Sequence, residues 1–168
     1  MHVFLTGDRR VGKSTAVLRT AEALQLPRRG FLTRFLTGER GSALYMVPAE
    51  QPDLMDDEHL VAVPENGKMR PVAGRFDTLG VQLLRDARQR PGTLILMDEC
   101  GHLEKDALLF HHEILECLNG DSPVLGVLRR DQDWHGFIRR HPRVRVLTVT
   151  EDNRDGIARE AAALLREK

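Results

Sequence analysis

The stretch that most constrains this chain is Gly7 to Ser14, GDRRVGKS, which fits the P-loop pattern G-x-x-x-x-G-K-[ST]. It follows a short apolar run, His2 to Thr6 (HVFLT), and precedes a helical pattern over Ser14 to Leu24 that Pro27 stops. A backbone this rich in glycine can curl until several N–H groups point at one anion. The helix that starts there adds unpaired N–H groups and a dipole of the same sign preference. Lys13 is placed to reach the β- and γ-phosphates of a nucleotide, and the Ser14 hydroxyl to bind the Mg²⁺ that bridges them. The expected nucleotide-binding residues are therefore Gly7, Asp8, Arg9, Arg10, Val11, Gly12, Lys13, Ser14 and Thr15.

Such a loop needs an acidic partner for the metal. Thr93 to Met97 (TLILM) is a continuous apolar run, as in a strand covered on both faces, and it leads into Asp98-Glu99. Asp98 at the end of that strand is expected to hold Mg²⁺ beside Ser14, and Glu99 to orient and deprotonate a water in line with the γ-phosphate. Strands are also expected at Gly30 to Leu36 and Ala43 to Val47, joined through TGERGS as a hairpin, and at Pro123 to Leu128 and Val144 to Thr150. Helices are expected over Thr78 to Gln89 and Lys105 to Leu118, the latter closed by a left-handed cap at Asn119-Gly120. A short helix is expected over Asp133 to Arg140. A last helix follows, capped by Asp152 or Asn153. Glu50 to Val72 reads as irregular, with one strand at His59 to Val63. Strands alternating with helices imply parallel βαβ units. The expected fold is α/β: a three-layer α/β/α sandwich of the P-loop NTPase type, with a mostly parallel sheet and a β-hairpin addition. Without repeats or linkers, residues 1–168 read as one domain.

Lys+Arg and Asp+Glu both number 25, and that balance argues against a general nucleic-acid or membrane-surface binder. Cys100 and Cys117 lack zinc-ligand spacing and read as reduced thiols. No apolar run approaches a membrane span and the N-terminus has no signal-peptide pattern, so a cytoplasmic location is expected. Arg129-Arg130 should stand at the phosphate edge of the sheet, as solvated loop residues or as a cis arginine. His111, on a face with Leu108, Leu115 and Leu118, reads as a hydrogen-bonded, partly buried histidine rather than a metal ligand. His102 is a candidate substrate contact. Trp134 is read either as local packing or as a platform for a base.

GFLTRF, LILMDECGHLEKDALLFHHEIL, PVLGVL and TEDNRD, in this order, resemble the small nucleoside-triphosphatase family first known from thermophiles and also described as cancer-related in man. The resemblance spans nearly the whole chain and is weakest over Glu50 to Met69. It implies a P-loop α/β fold and slow, Mg²⁺-dependent hydrolysis of several nucleoside triphosphates (ATP, GTP, CTP, UTP) to diphosphate and phosphate. Gly101 and Glu104 fall on the glycine and last glutamate of the family's D-E-I-G-x-M-E segment, and Asn153 and Arg154 on its terminal Asn-Arg-Asp. Asn153-Arg154 is read evenly as a base or sugar contact and as a helix cap. Cys100, His102 and Leu103 depart from the family's Ile, Lys and Met; Arg34-Phe35 stands where an acidic residue usually follows G-F-x-T; Arg10 replaces a frequent glycine. Two other activities use the same loop: a nucleotide or small-molecule kinase, and a nucleotide-gated binding module. The residues alone leave all three open.

Overall fold

The computed structural model describes residues 1–39 and 41–167. Its elements run β1 (His2–Thr6), α1 (Lys13–Leu24), β2 (Arg28–Gly38), β3 (Gly41–Pro48), β4 (Leu60–Glu65), β5 (Lys68–Pro71), α2 (Val81–Arg88), β6 (Leu94–Cys100), α3 (Leu108–Asn119), β7 (Val124–Leu128), α4 (Gly136–Arg139), β8 (Val144–Thr148) and α5 (Ile157–Arg166). One eight-stranded sheet has the order β5-β4-β3-β2-β6-β7-β1-β8. The β2, β6, β7, β1 and β8 strands are parallel, and β3 to β5 extend the sheet antiparallel.

The layers follow from the two-residue period of the central strands. Val3, Leu5, Leu94, Leu96, Leu125 and Val127 face one side and pack against Ala16, Val17 and Ala21 of α1 and Ala161 and Leu165 of α5. Phe4, Ile95, Met97 and Val124 face the other and meet Leu84 of α2, Phe110 and Ile114 of α3 and Ile138 of α4. Both faces of each central strand are thus apolar, as a parallel sheet requires, and the α/β/α sandwich results. Parallel pairing puts the carboxyl ends of β1, β6, β7 and β8 at one edge, where the loops carry the functional candidates.

Several boundaries differ from expectation. The polar segment before residue 72 holds two strands, not one. β5 (Lys68–Pro71) pairs only with β4, so its outer side needs no apolar pattern. The helix expected from Thr78 is α-helical only from Val81 and is preceded by a wide π turn, Phe76–Gly80. The α3 helix starts at Leu108 rather than Lys105, because residues 101–107 fold Glu104 inward. Gly120 ends it with φ −79° and ψ −178°, so the left-handed cap does not form. Neither Asp152 nor Asn153 caps α5; its N-cap is Gly156, without a side-chain hydrogen bond. The β2–β3 hairpin forms as expected, while Arg40 within TGERGS lies outside the described residues.

Candidate functional site

The loop between β1 and α1 turns on three left-handed residues: Gly7 (φ 147°), Arg10 (φ 59°) and Gly12 (φ 109°). A Cβ on Gly7 would stand 2.5 Å from the Val149 carbonyl oxygen, so glycine alone lets the loop pass that close to the end of β8. The Lys13 ammonium folds back over the loop, donating to the carbonyls of Gly7 (3.0 Å) and Asp8 (2.6 Å). The loop opens into a cavity of about 1010 Å³, lined by Gly7, Lys13, Ser14 and Thr15 on one side and by Phe35, Glu99 and Arg129 on the other. Asp8, Arg9, Arg10 and Gly12 also face it, and Val11, buried beneath, lines a smaller cleft of about 240 Å³ toward Thr150 and Glu151.

Asp98 and Glu99 arrive on β6, two strands away across β7. Burial pushes the Asp98 carboxyl up to about 6, helped by the neighbouring Glu99 charge; the Ser14 hydroxyl and the Lys13 ammonium oppose the shift. A carboxylate and a serine hydroxyl are hard oxygen donors of the kind Mg²⁺ takes, and they meet at the loop's helix end, so the residues present fit that ion. Among the described residues no group of three or more His, Cys, Asp or Glu forms a metal cluster by itself. Thr33 of β2 fixes the Asp98–Glu99 peptide from the side: its hydroxyl donates to the Asp98 carbonyl (3.1 Å) and accepts from the Glu99 N–H (3.2 Å).

The remaining candidates fall around this core. Arg129 lines the cavity and donates to Nδ1 of His102 (2.9 Å). Burial, with the charges of Arg129 and Arg9, holds the His102 ring below its ordinary pKa. Arg130 pairs with Asp8 across the loop mouth. Arg154 also approaches the loop, its Cδ lying 3.8 Å from where a Gly12 Cβ would stand. Asn153 makes the turn that carries Arg154: its Oδ1 accepts from the Thr150 N–H (2.8 Å) and its Nδ2 donates to the Thr148 carbonyl (2.8 Å). Trp134 is committed to protein contacts, stacking on His111 with centroids 4.3 Å apart and planes 3° apart, and donating to the Gly101 carbonyl (2.8 Å). His111 is half-buried and donates from Nε2 to the Glu104 carbonyl (2.7 Å). Cys100 and Cys117 are free and buried, and burial pushes the Cys117 thiol up to about 12. No helix among the described residues is long and apolar enough to cross a membrane.

Fold and loop together define a P-loop α/β protein with its candidate site at the carboxyl edge of the sheet. The family described as NTPase matches residues 2–162, and the chain belongs to it. Among its relatives, nucleoside-triphosphatase THEP1 of Methanosarcina barkeri is 30% identical, covering 99% of this chain and 98% of that protein. The THEP1 of Methanocaldococcus jannaschii is 25% identical over 95% and 94%. The crystal structure of THEP1 from Aquifex aeolicus superposes with a TM-score of 0.76 at 22% identity, covering 99% of this chain and all of that one. The solution structure of a human cancer-related nucleoside triphosphatase gives 0.69 at 23% identity over 98% and 97%. At these identities the two structures speak for the fold.

Proposed function

We propose that this chain, acting as one domain, hydrolyses nucleoside 5′-triphosphates to diphosphate and phosphate with Mg²⁺. The observation that carries the reading is the convergence of Lys13, Ser14 and Glu99 on one cavity, with Asp98 seated behind Ser14. The activity named for the curated relatives supports it. The loop N–H groups would hold the β-phosphate, and Lys13 would exchange its contacts with the Gly7 and Asp8 carbonyls for phosphate oxygens. Ser14 and Asp98 are the residues that would hold Mg²⁺, which, when bound, neutralises charge on the β- and γ-oxygens. Glu99 orients a water and takes its proton as the water oxygen bonds to the γ-phosphorus and the bond to the diphosphate breaks.

Thr15, Arg9, Arg10 and Arg154 add contacts around the loop; Asn153 contributes by shaping the turn. In the free protein Arg129 is held by His102 and Arg130 by Asp8, so neither guanidinium is aimed freely at the γ-phosphate, which agrees with slow turnover.

Phosphate release from ATP, GTP, CTP and UTP, with and without Mg²⁺, tests the reading. Glu99→Gln is expected to lower turnover by roughly 10²–10⁴ while still binding nucleotide. Normal release from that variant removes Glu99 from the chemistry. Label passing to an added alcohol or phosphate instead of water would make the protein a kinase.

A further inference from the structure

Glu104 is a carboxyl with no part in phosphate or metal binding, yet it is only 4% exposed. A buried carboxyl is costly unless its oxygens are hydrogen-bonded, so where its hydrogen bonds go is informative. Its Oε1 accepts from the Gly101 N–H at 2.5 Å. A Cβ placed on Gly101 would stand 3.7 and 3.9 Å from the two Glu104 oxygens and 3.9 Å from Oε1 of Glu99, so both carboxyls converge on this one residue. On the other side of the turn the Trp134 indole holds the Gly101 carbonyl (2.8 Å). His111 closes the circuit by stacking on Trp134 and donating to the Glu104 carbonyl. The Glu99 backbone is therefore gripped twice: upstream by Thr33, downstream by a closed ring of Gly101, Glu104, His111 and Trp134.

We propose that Glu104 is the positioning residue for Glu99, holding the Gly101 peptide so that the Glu99 carboxylate meets the attacking water at a fixed angle, with Trp134 as its counterpart on the Gly101 carbonyl. The proposal rests on Glu99 being the water-activating group. Glu104 itself touches neither nucleotide nor water. A displacement of about 1 Å in a catalytic group is enough to cost on the order of 10²-fold in rate.

The test is kcat, KM and the Kd of a non-hydrolysable triphosphate for Glu104→Leu, Glu104→Gln, Trp134→Phe and the double variant Glu99→Gln/Glu104→Leu. Glu104→Leu is expected to lose roughly 10–100-fold in kcat with KM and Kd within about threefold of the parent. Glu104→Gln, which keeps an oxygen acceptor for the Gly101 N–H, should recover most of that loss. The double variant should be no slower than Glu99→Gln alone, because the effect of Glu104 passes through Glu99. Unchanged kcat, a loss confined to KM, or a further loss in the Glu99→Gln background each overturns the proposal. Should Glu104→Leu not fold, Trp134→Phe keeps the stacked ring but removes the N–H. It is expected to lower kcat at constant KM, and an unchanged kcat there overturns the proposal as well. If Glu99→Gln itself releases phosphate normally, the hydrolysis mechanism fails first; a slow Glu99→Gln beside a fully active Glu104→Leu sinks only the positioning role.

Discussion

Arg10 holds φ at 59°, in the left-handed region where a Cβ is disfavoured. The tight curl of the loop sets that angle, which a glycine would adopt without that cost. Arg10→Gly should therefore raise stability by about 1 kcal/mol, read as a higher urea midpoint with an unchanged m value. A lower midpoint would mean that the arginine side chain contributes contacts worth more than the backbone strain. The loop was legible because its chemistry is local: glycines, lysine and serine act through spacing within a few residues. The Asp98-Glu99 pair was legible for a related reason, since an apolar strand fixes where its end must lie. Trp134, Thr33 and Glu104 acquire their roles through partners 33, 66 and 3 residues away, in a turn whose inward fold no periodicity announces. Asn153 does not cap α5; its amide finds backbone partners within its own turn, which no local pattern announces.

The same division appears among the elements. The central strands and α1 have apolar patterns that fix their type. The edge strand β5 and the turn before α3 do not, because solvent or a single partner defines them. The junction of α2 and α3 is also invisible in the pattern. Glu113 of α3 is 3% exposed and meets Arg88 (3.0 Å) and Arg85 (3.4 Å) of α2, while Arg88 also approaches Glu116 (3.9 Å). Glu113 is expressly a buried charge, whereas its arginines remain partly in water. Removing one arginine leaves the carboxylate underpaired in an apolar setting, whereas removing the carboxylate leaves guanidinium groups that water can solvate. Arg88→Ala is thus expected to cost about 1–2 kcal/mol, and Glu113→Leu to cost less than Arg88→Ala despite altering the more buried residue. Denaturation of the two variants checks the order; the reverse order would show that the ion pair itself, rather than the cost of an unpaired charge, stabilises this helix contact.

At the scale of the whole molecule, four buried groups respond to acid in the free protein, and they pull in opposite directions. His2 is locked as a neutral ring, its Nε2 donating to the Leu118 carbonyl and its Nδ1 accepting from the Val124 N–H. Burial lowers His2 and His135 from 6.5 to about 4. As pH falls from 6.5 to 4, the unfolded chain takes up protons there that the folded protein refuses, so these two groups remove stability on acidification. Glu104 and Asp98 do the reverse. Burial raises Glu104 from 4.5 to about 7 and Asp98 from 3.8 to about 6, so the folded protein keeps protons that the unfolded chain releases. Their contribution is complete below the unfolded values and is lost as pH rises through 6 and 7. Each group supplies a slope of about 1.4 kcal/mol per pH unit, so these four cancel between about 4.5 and 6, while His102, His111 and His141, also held below their ordinary value by burial, tilt the balance toward loss of stability on acidification. Glu104→Gln takes one group out of that balance. The variant should gain stability relative to the parent with every step from pH 4.5 to 7, its curve steeper by about 1.4 kcal/mol per unit. Urea denaturation of both proteins at half-unit pH intervals, without nucleotide, measures the difference directly. Parallel curves would mean that the Glu104 carboxyl keeps its ordinary acidity behind Gly101, and that the turn beside Glu99 is wetter than its packing implies.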